Sequence, residues 1–219
     1  MYNVVPGILN IKKDDVLNNI SKVINYSNLI QIDVCDGEYV QSLTWLPNQE
    51  AILPTVIGKK YEFDLMVLDT IKYIKIAADI GACNVIIHSN NQEEIIKAIE
   101  IARGLNLKVG LTSSIDNIRS FVSHIDYIQI MGIDNIGKQG QRVRDNLIKD
   151  IIECEYVCSI SSNKNIYIQV DGGMNLNTIS DLVKNREFKY LKSFVVGSAI
   201  FNLDNTEDIK SLINKIEAI

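Results

Sequence analysis

The sequence predicts an α/β protein, a single (β/α)₈ barrel over residues 1–219. Three observations predict it. Short apolar runs rich in Val, Ile and Tyr alternate with longer amphipathic stretches along the chain. The short runs are apolar at nearly every position, as expected for parallel strands covered on both faces. Eight such units in 219 residues suit a compact barrel, whose usual size begins at about 200 residues. An open doubly wound sheet is the competing layout. No Pro-, Gly- or Ser-rich linker divides the chain.

The elements follow in order. Val4–Leu9 reads as the first strand, and "DDVLNNISKVINYS" after it places Val16, Ile20, Val23 and Ile24 on one helical face. Leu29–Val34 and Tyr61–Met66 are the second and third strands, with Asp69 placed to cap the next helix. Asn84–His88 is the fourth. "QEEIIKAIEIARGL" then puts Ile95, Ile99 and Ala102 on one face and ends near Gly104. Lys108–Leu111, Tyr127–Met131, Ile166–Val170 and Ser193–Val196 complete the strands. "TEDIKSLINKIEAI" closes as a helix, with Thr206 as its expected N-cap. A helix is expected after every strand.

Composition narrows the function classes. An apolar fraction of 47% with 22% charged residues is that of an ordinary soluble globular chain. A net charge of −5 without a basic block argues against nucleic acid as a partner. No apolar run is long enough to span a bilayer, so no membrane role is expected. The start, "MYNVVPGILN", lacks the features of a signal peptide. Cys35, Cys83, Cys154 and Cys158 form no CxxC pair and suggest reduced thiols in a cytoplasmic protein.

In a barrel, chemistry sits at the C-terminal ends of the strands. Strand two delivers Gln31, Asp33 and Asp36 there, strand three Asp64 and Met66, strand four His88, strand six Met131 and strand seven Asp171. Asp33 and Asp64 each interrupt an apolar run. A charge buried in such a run has to be paired, hydrated or bound to a ligand. Close carboxylates raise one another's pKa, and two held on opposite sides of a substrate can act as acid and base. The plainer alternative is that each acid caps a helix or pairs with a lysine. Gly172 and Gly173 follow strand seven, and Gly197 and Ser198 follow strand eight. Glycine lets backbone N–H groups approach an anion, and these two turns commonly hold phosphate in this fold.

The stretches "PGILN", "IQIDVCDGEYV", "EFDLMV", "VIIHS", "IQIMGIDNIGKQGQ", "IQVDGGMNLNTI" and "FVVGSAIF" occur in the order seen in ribulose-phosphate 3-epimerases. The resemblance runs from Val5 to Phe201. It implies a barrel that inverts one carbon of a pentulose 5-phosphate, with a small phosphorylated sugar as partner. Asp33 and Asp171 match the two proton-exchanging acids. Met66 and Met131 match methionines lining the site, and His88 a histidine on strand four. Gly172, Gly173, Gly197 and Ser198 match the phosphate grip. The segment from Gly137 through Gly140 to Gln141 resembles the family's glycine-rich loop, one residue longer and without its proline.

This sequence departs from the family where a divalent metal is held. The two metal histidines fall on Gln31 and Asp64, a strand-one serine on Gly7, and a methionine between the acids on Cys35. The implied ligands become Asp33, Asp64 and Asp171, with the Gln31 carbonyl as a fourth. An oxygen-only set favours Mg²⁺ or Mn²⁺ over Zn²⁺, and a site without metal stays open. His124 reads as structural or exposed. Two alternatives stand beside the epimerase: a sugar-phosphate-binding barrel without turnover, and a relative of the hexulose-phosphate synthases and decarboxylases. The latter carry D-x-K-x-x-D, where this chain has Asp64, Met66 and Asp69. A homo-oligomer is also open.

Overall fold

The computed structural model describes residues 2–48 and 51–219. Eight parallel strands close in sequence order: β1 (Asn3–Ile8), β2 (Leu29–Cys35), β3 (Lys60–Met66), β4 (Asn84–His88), β5 (Lys108–Thr112), β6 (Tyr127–Met131), β7 (Tyr167–Asp171) and β8 (Leu191–Val196). β1 pairs with β8 to seal the cylinder. The result is a (β/α)₈ barrel, as the alternation predicts. Strand limits move by only a residue or two, because the apolar runs are bounded by polar and glycine residues.

The helices are α1 (Lys13–Val23), α2 (Thr70–Asp79), α3 (Gln92–Gly104), α4 (Ile115–Phe121), α5 (Leu147–Ile160), α6 (Leu176–Val183), α7 (Ser198–Phe201) and α8 (Thr206–Glu217). The predicted faces are the buried ones: Val16, Ile20 and Val23 on α1, and Ile95, Ile99 and Ala102 on α3. α3 stops at Gly104, and Asn106 beyond it takes a left-handed conformation with φ 60°. Asp69 caps α2, accepting from the Lys72 N–H. No helix among the described residues is long and apolar enough to cross a membrane.

Three expectations need correction. No helix lies between β2 and β3 among the described residues; the chain there runs as loop. Pro47 and Pro54 fall in this stretch, and proline removes helix donors. Asn205, not Thr206, caps α8: its side chain accepts from the Asp208 N–H at 2.9 Å, and Thr206 is already helical. Finally, the strands are not apolar on both faces. The outer face packs on the helices, while Gln31, Glu62, Asn84, Gln129, Gln169 and Ser193 are buried polar residues. They are linked inside the barrel. Gln169 donates to Glu62 at 2.8 Å, Tyr127 donates to Glu62 at 2.8 Å, and Ser193 donates to Gln169 at 2.8 Å.

Candidate active site

Strand register sets the site. Asp33 lies level with Asp64 across β2–β3, Cys35 with Met66, and Met131 with Asp171 across β6–β7. Side chains point inward at every second residue of a strand. The inward sets Gln31–Asp33 on β2, Glu62–Asp64 on β3 and Gln169–Asp171 on β7 therefore stack in two levels. The lower level is the polar layer described above. The upper level is three carboxylates.

Asp33, Asp64 and Asp171 each place a carboxylate oxygen within 4.8 Å of the others. Gln31 joins two of them: its amide nitrogen donates to Asp33 Oδ1 and to Asp171 Oδ2, each at 2.8 Å. Its carbonyl oxygen turns away and accepts from Gln169 at 3.3 Å. His88 Nε2 meets Asp64 Oδ1 at 2.5 Å. None of the three acids pairs with a lysine or caps a helix, so the plainer reading does not describe them. Asp36 does play a structural part. It accepts from the N–H groups of Glu38, Tyr39 and Leu68, tying the turn after β2 to the turn after β3.

Burial is the first cause that drives the pair upward. It pushes the Asp33 carboxyl well above its ordinary value, reinforced by the charges of Asp171 and Asp64 and opposed by the Gln31 hydrogen bond. Asp171 is pushed up to about 7 by burial and by Asp64, against Gln31 and His88. Two carboxyls sharing one donor in this environment hold a proton between them near neutral pH. Burial also raises the Cys35 thiol, so it is no thiolate nucleophile.

The residues fit a divalent cation. Asp64 Oδ2 is buried with no hydrogen-bond partner, and an orphan of that kind is costly unless something satisfies it. The span between the carboxylate oxygens suits an oxygen-bound ion with ligands at about 2.0–2.6 Å. Gln31, by contrast, presents N–H to the acids, and N–H is not a metal ligand.

A cavity of about 50 Å³ opens above the acids, lined by Gly7, Asp33, Met66, Met131, Gly140, Asp171, Gly172, Gly173, Gly197 and Ser198 among others. The structure thus brings the predicted site residues to one place, save two. Asp64 and His88 are buried below, outside the lining. Gly172 and Gly173 have φ of 101° and 73°, which L side chains rarely adopt. Among the described residues, no hydrogen bond inside the protein takes the N–H of Gly172, Gly173 or Ser198. Their donors are free for an anion. Gly132 is required for close approach, since a Cβ there would overlap the Gly172 carbonyl oxygen. His124 is exposed.

Sequence reasoning missed Glu62, Gln129 and Gln169. The signal was present: in "LIQIDVC", "YEFDLM", "YIQIM" and "YIQVD" a polar residue recurs at every second position.

Fold and mouth together define the class: a TIM barrel whose chemistry-bearing side chains meet at the C-terminal ends of the strands. The comparisons narrow it. The chain belongs to the ribulose-phosphate 3-epimerase family, whose model it matches over residues 3–201. It is 30% identical over 197 residues to the ribulose-phosphate 3-epimerase of Buchnera aphidicola subsp. Baizongia pistaciae, covering 82% of this chain and 79% of that protein. It is 27% identical over 222 residues to the Bacillus subtilis ribulose-phosphate 3-epimerase, covering 99% and 98%. The fold is shared with KGPDC from Streptococcus mutans in complex with D-ribulose 5-phosphate, at a TM-score of 0.71 and 12% identity over 100% of this chain and 98% of that one. It is shared also with 3-keto-L-gulonate-6-phosphate decarboxylase from Vibrio cholerae, at a TM-score of 0.66 and 13% identity over 100% and 97%.

Proposed function

We propose that this protein interconverts D-ribulose 5-phosphate and D-xylulose 5-phosphate, or a closely related ketose phosphate, by two-base proton transfer. One observation carries the reading: Asp33 and Asp171, from β2 and β7, take hydrogen bonds from the same Gln31 amide. That amide holds both carboxyls at one mouth and leaves their remaining lone pairs for substrate.

The chemistry follows from the shared proton. One carboxylate removes the proton at C3, next to the ketone. The resulting enediolate keeps the electron pair, and the other carboxyl, protonated, returns a proton on the opposite face. Configuration at C3 inverts, and the two acids have exchanged roles. Each needs a pKa near the working pH, which burial and mutual repulsion supply. The phosphate end would lie on the free N–H groups of Gly172, Gly173 and Ser198, with Gly7 and Gly197 leaving room for it. Met66 and Met131 would flank the reacting carbons. Asp33, Asp64 and Asp171 would hold a divalent ion, Mg²⁺ or Mn²⁺ in preference to Zn²⁺. Bound there, the ion would supply positive charge beside the developing oxyanion. The decarboxylase reading is disfavoured by Met66 at the lysine position and by Asp69 serving as a cap.

The test is incubation with D-ribulose 5-phosphate in D₂O, with and without Mg²⁺, Mn²⁺ or Zn²⁺. Deuterium should appear at C3. No exchange under any condition would leave a binding barrel without turnover. Asp171→Asn should abolish exchange and spare phosphate affinity; exchange that survives in this variant would overturn the acid–base assignment.

A further inference from the structure

We propose that Lys138 is the cation that meets the substrate phosphate, carried over the mouth by the segment between β6 and α5, with Gln139 as a second donor beside it. The proposal rests on the sugar-phosphate reading above and adds the group that recognises the anion.

The segment is seated on three turns at once. Gly137 is wedged against the turn after β2: a Cβ there would lie 3.2 Å from Ser42 Cβ and 3.3 Å from Cys35 Sγ. Two residues on, Gln139 Nε2 stands 3.0 Å from where a Cβ on Gly197 would be, after β8. Further along, Val143 Cγ2 would lie 2.8 Å from a Cβ on Gly173, after β7. Lys138 sits between the first two anchors and lines the cavity. Its four-carbon stem lets the ammonium swing across the glycine turns.

Charge singles it out. Lys138 is the one cationic residue among those lining the cavity, whose acids are Asp33 and Asp171. The other cations of the segment are committed. Arg142 pairs with Asp145 at 2.8 Å, and Arg144 pairs with Asp150 at 2.5 Å. Among the described residues, the Lys138 ammonium makes no ion pair or hydrogen bond; only its carbonyl is used, by Gln141. A phosphate monoester brings a charge of about −1.5 to −2 at neutral pH to a mouth already lined by carboxylates. Free backbone N–H groups supply only partial charges against it. A mobile, uncommitted ammonium supplies a whole one. The cavity beneath the segment, about 50 Å³, is far below the roughly 300–1,000 Å³ of small-molecule pockets. The segment therefore lifts to admit the ligand, and settles back with Lys138 and the Gln139 amide facing the phosphate.

The test compares wild type, Lys138→Met and Lys138→Arg. Affinities for inorganic phosphate and for D-ribulose 5-phosphate are measured by calorimetry, together with kcat and KM. Loss of one charge-assisted contact should weaken both affinities by about ten- to a hundredfold. KM should rise by a similar factor, with kcat within about threefold. Lys138→Arg should recover most of the loss, and wild-type affinity should fall more steeply with salt than that of Lys138→Met. A Lys138→Met protein within twofold of wild type for both ligands overturns the proposal, as does a loss that arginine fails to rescue. Wild type that binds phosphate through Lys138 yet turns over no ketose phosphate would keep this site and sink the epimerase reading. Normal turnover with an indifferent Lys138→Met would do the reverse.

Discussion

Gln31→Leu removes a buried side chain of nearly the same volume but takes away the N–H group between Asp33 and Asp171. Both contacts are 2.8 Å. A hydrogen bond to an ionised group contributes about 1.5–3 kcal/mol, and one pKa unit corresponds to about 1.4 kcal/mol. Losing the donor should therefore lift the Asp171 carboxyl by roughly one to two units above the value of about 7 that it has in the intact site. The sign is fixed by charge: the amide stabilises carboxylate over carboxylic acid, so its loss favours the protonated form. The assay is ¹³C NMR titration of labelled aspartates in metal-free protein, which does not depend on turnover. A midpoint that stays put or falls in Gln31→Leu would refute the reasoning, because the two acids would then not be coupled through this amide.

The remaining expectations concern stability and the metal. Asp171 has a folded pKa near 7 against an ordinary 3.8, so its favourable contribution is full below that lower value and is lost as pH rises through 7. Metal-free protein should accordingly lose thermal stability across this window. Mn²⁺ should restore it in wild type but not in Asp64→Asn; a flat pH profile would contradict the burial argument. Glu62→Ala leaves the donors of Gln169, Tyr127 and Asn84 without their acceptor. Urea unfolding should show a loss of about 2–5 kcal/mol, with Glu62→Gln costing less; a change under about 1 kcal/mol would mean that this network contributes little. Gly132→Ala must push the turn after β7 away from β6, because the new Cβ meets Gly172 and lies 3.3 Å from the Asp171 carbonyl oxygen. About 1–3 kcal/mol of stability and most of the exchange activity should go, and a variant of wild-type activity would show that the turn tolerates displacement.

Much of this was legible in the residues themselves. A strand followed by an amphipathic stretch, repeated along the chain, determined the barrel, because period-two and period-3.6 patterns are local. The acids at Asp33, Asp64 and Asp171 and the glycines after β7 and β8 could be placed by the strand-end rule alone. What the chain could not show was partnership. Gln31 and Asp171 are 140 residues apart, and no local pattern says that one amide will join Asp171 to Asp33. The same holds for His88 behind Asp64, and for Lys138, which is an ordinary surface lysine until its segment is laid over the mouth. Alternation tells which residues share a strand face but not which face is inside. Only closing the cylinder turned Gln31, Glu62, Gln129 and Gln169 inward, since register between neighbouring strands, not sequence spacing, brings their side chains within hydrogen-bond reach.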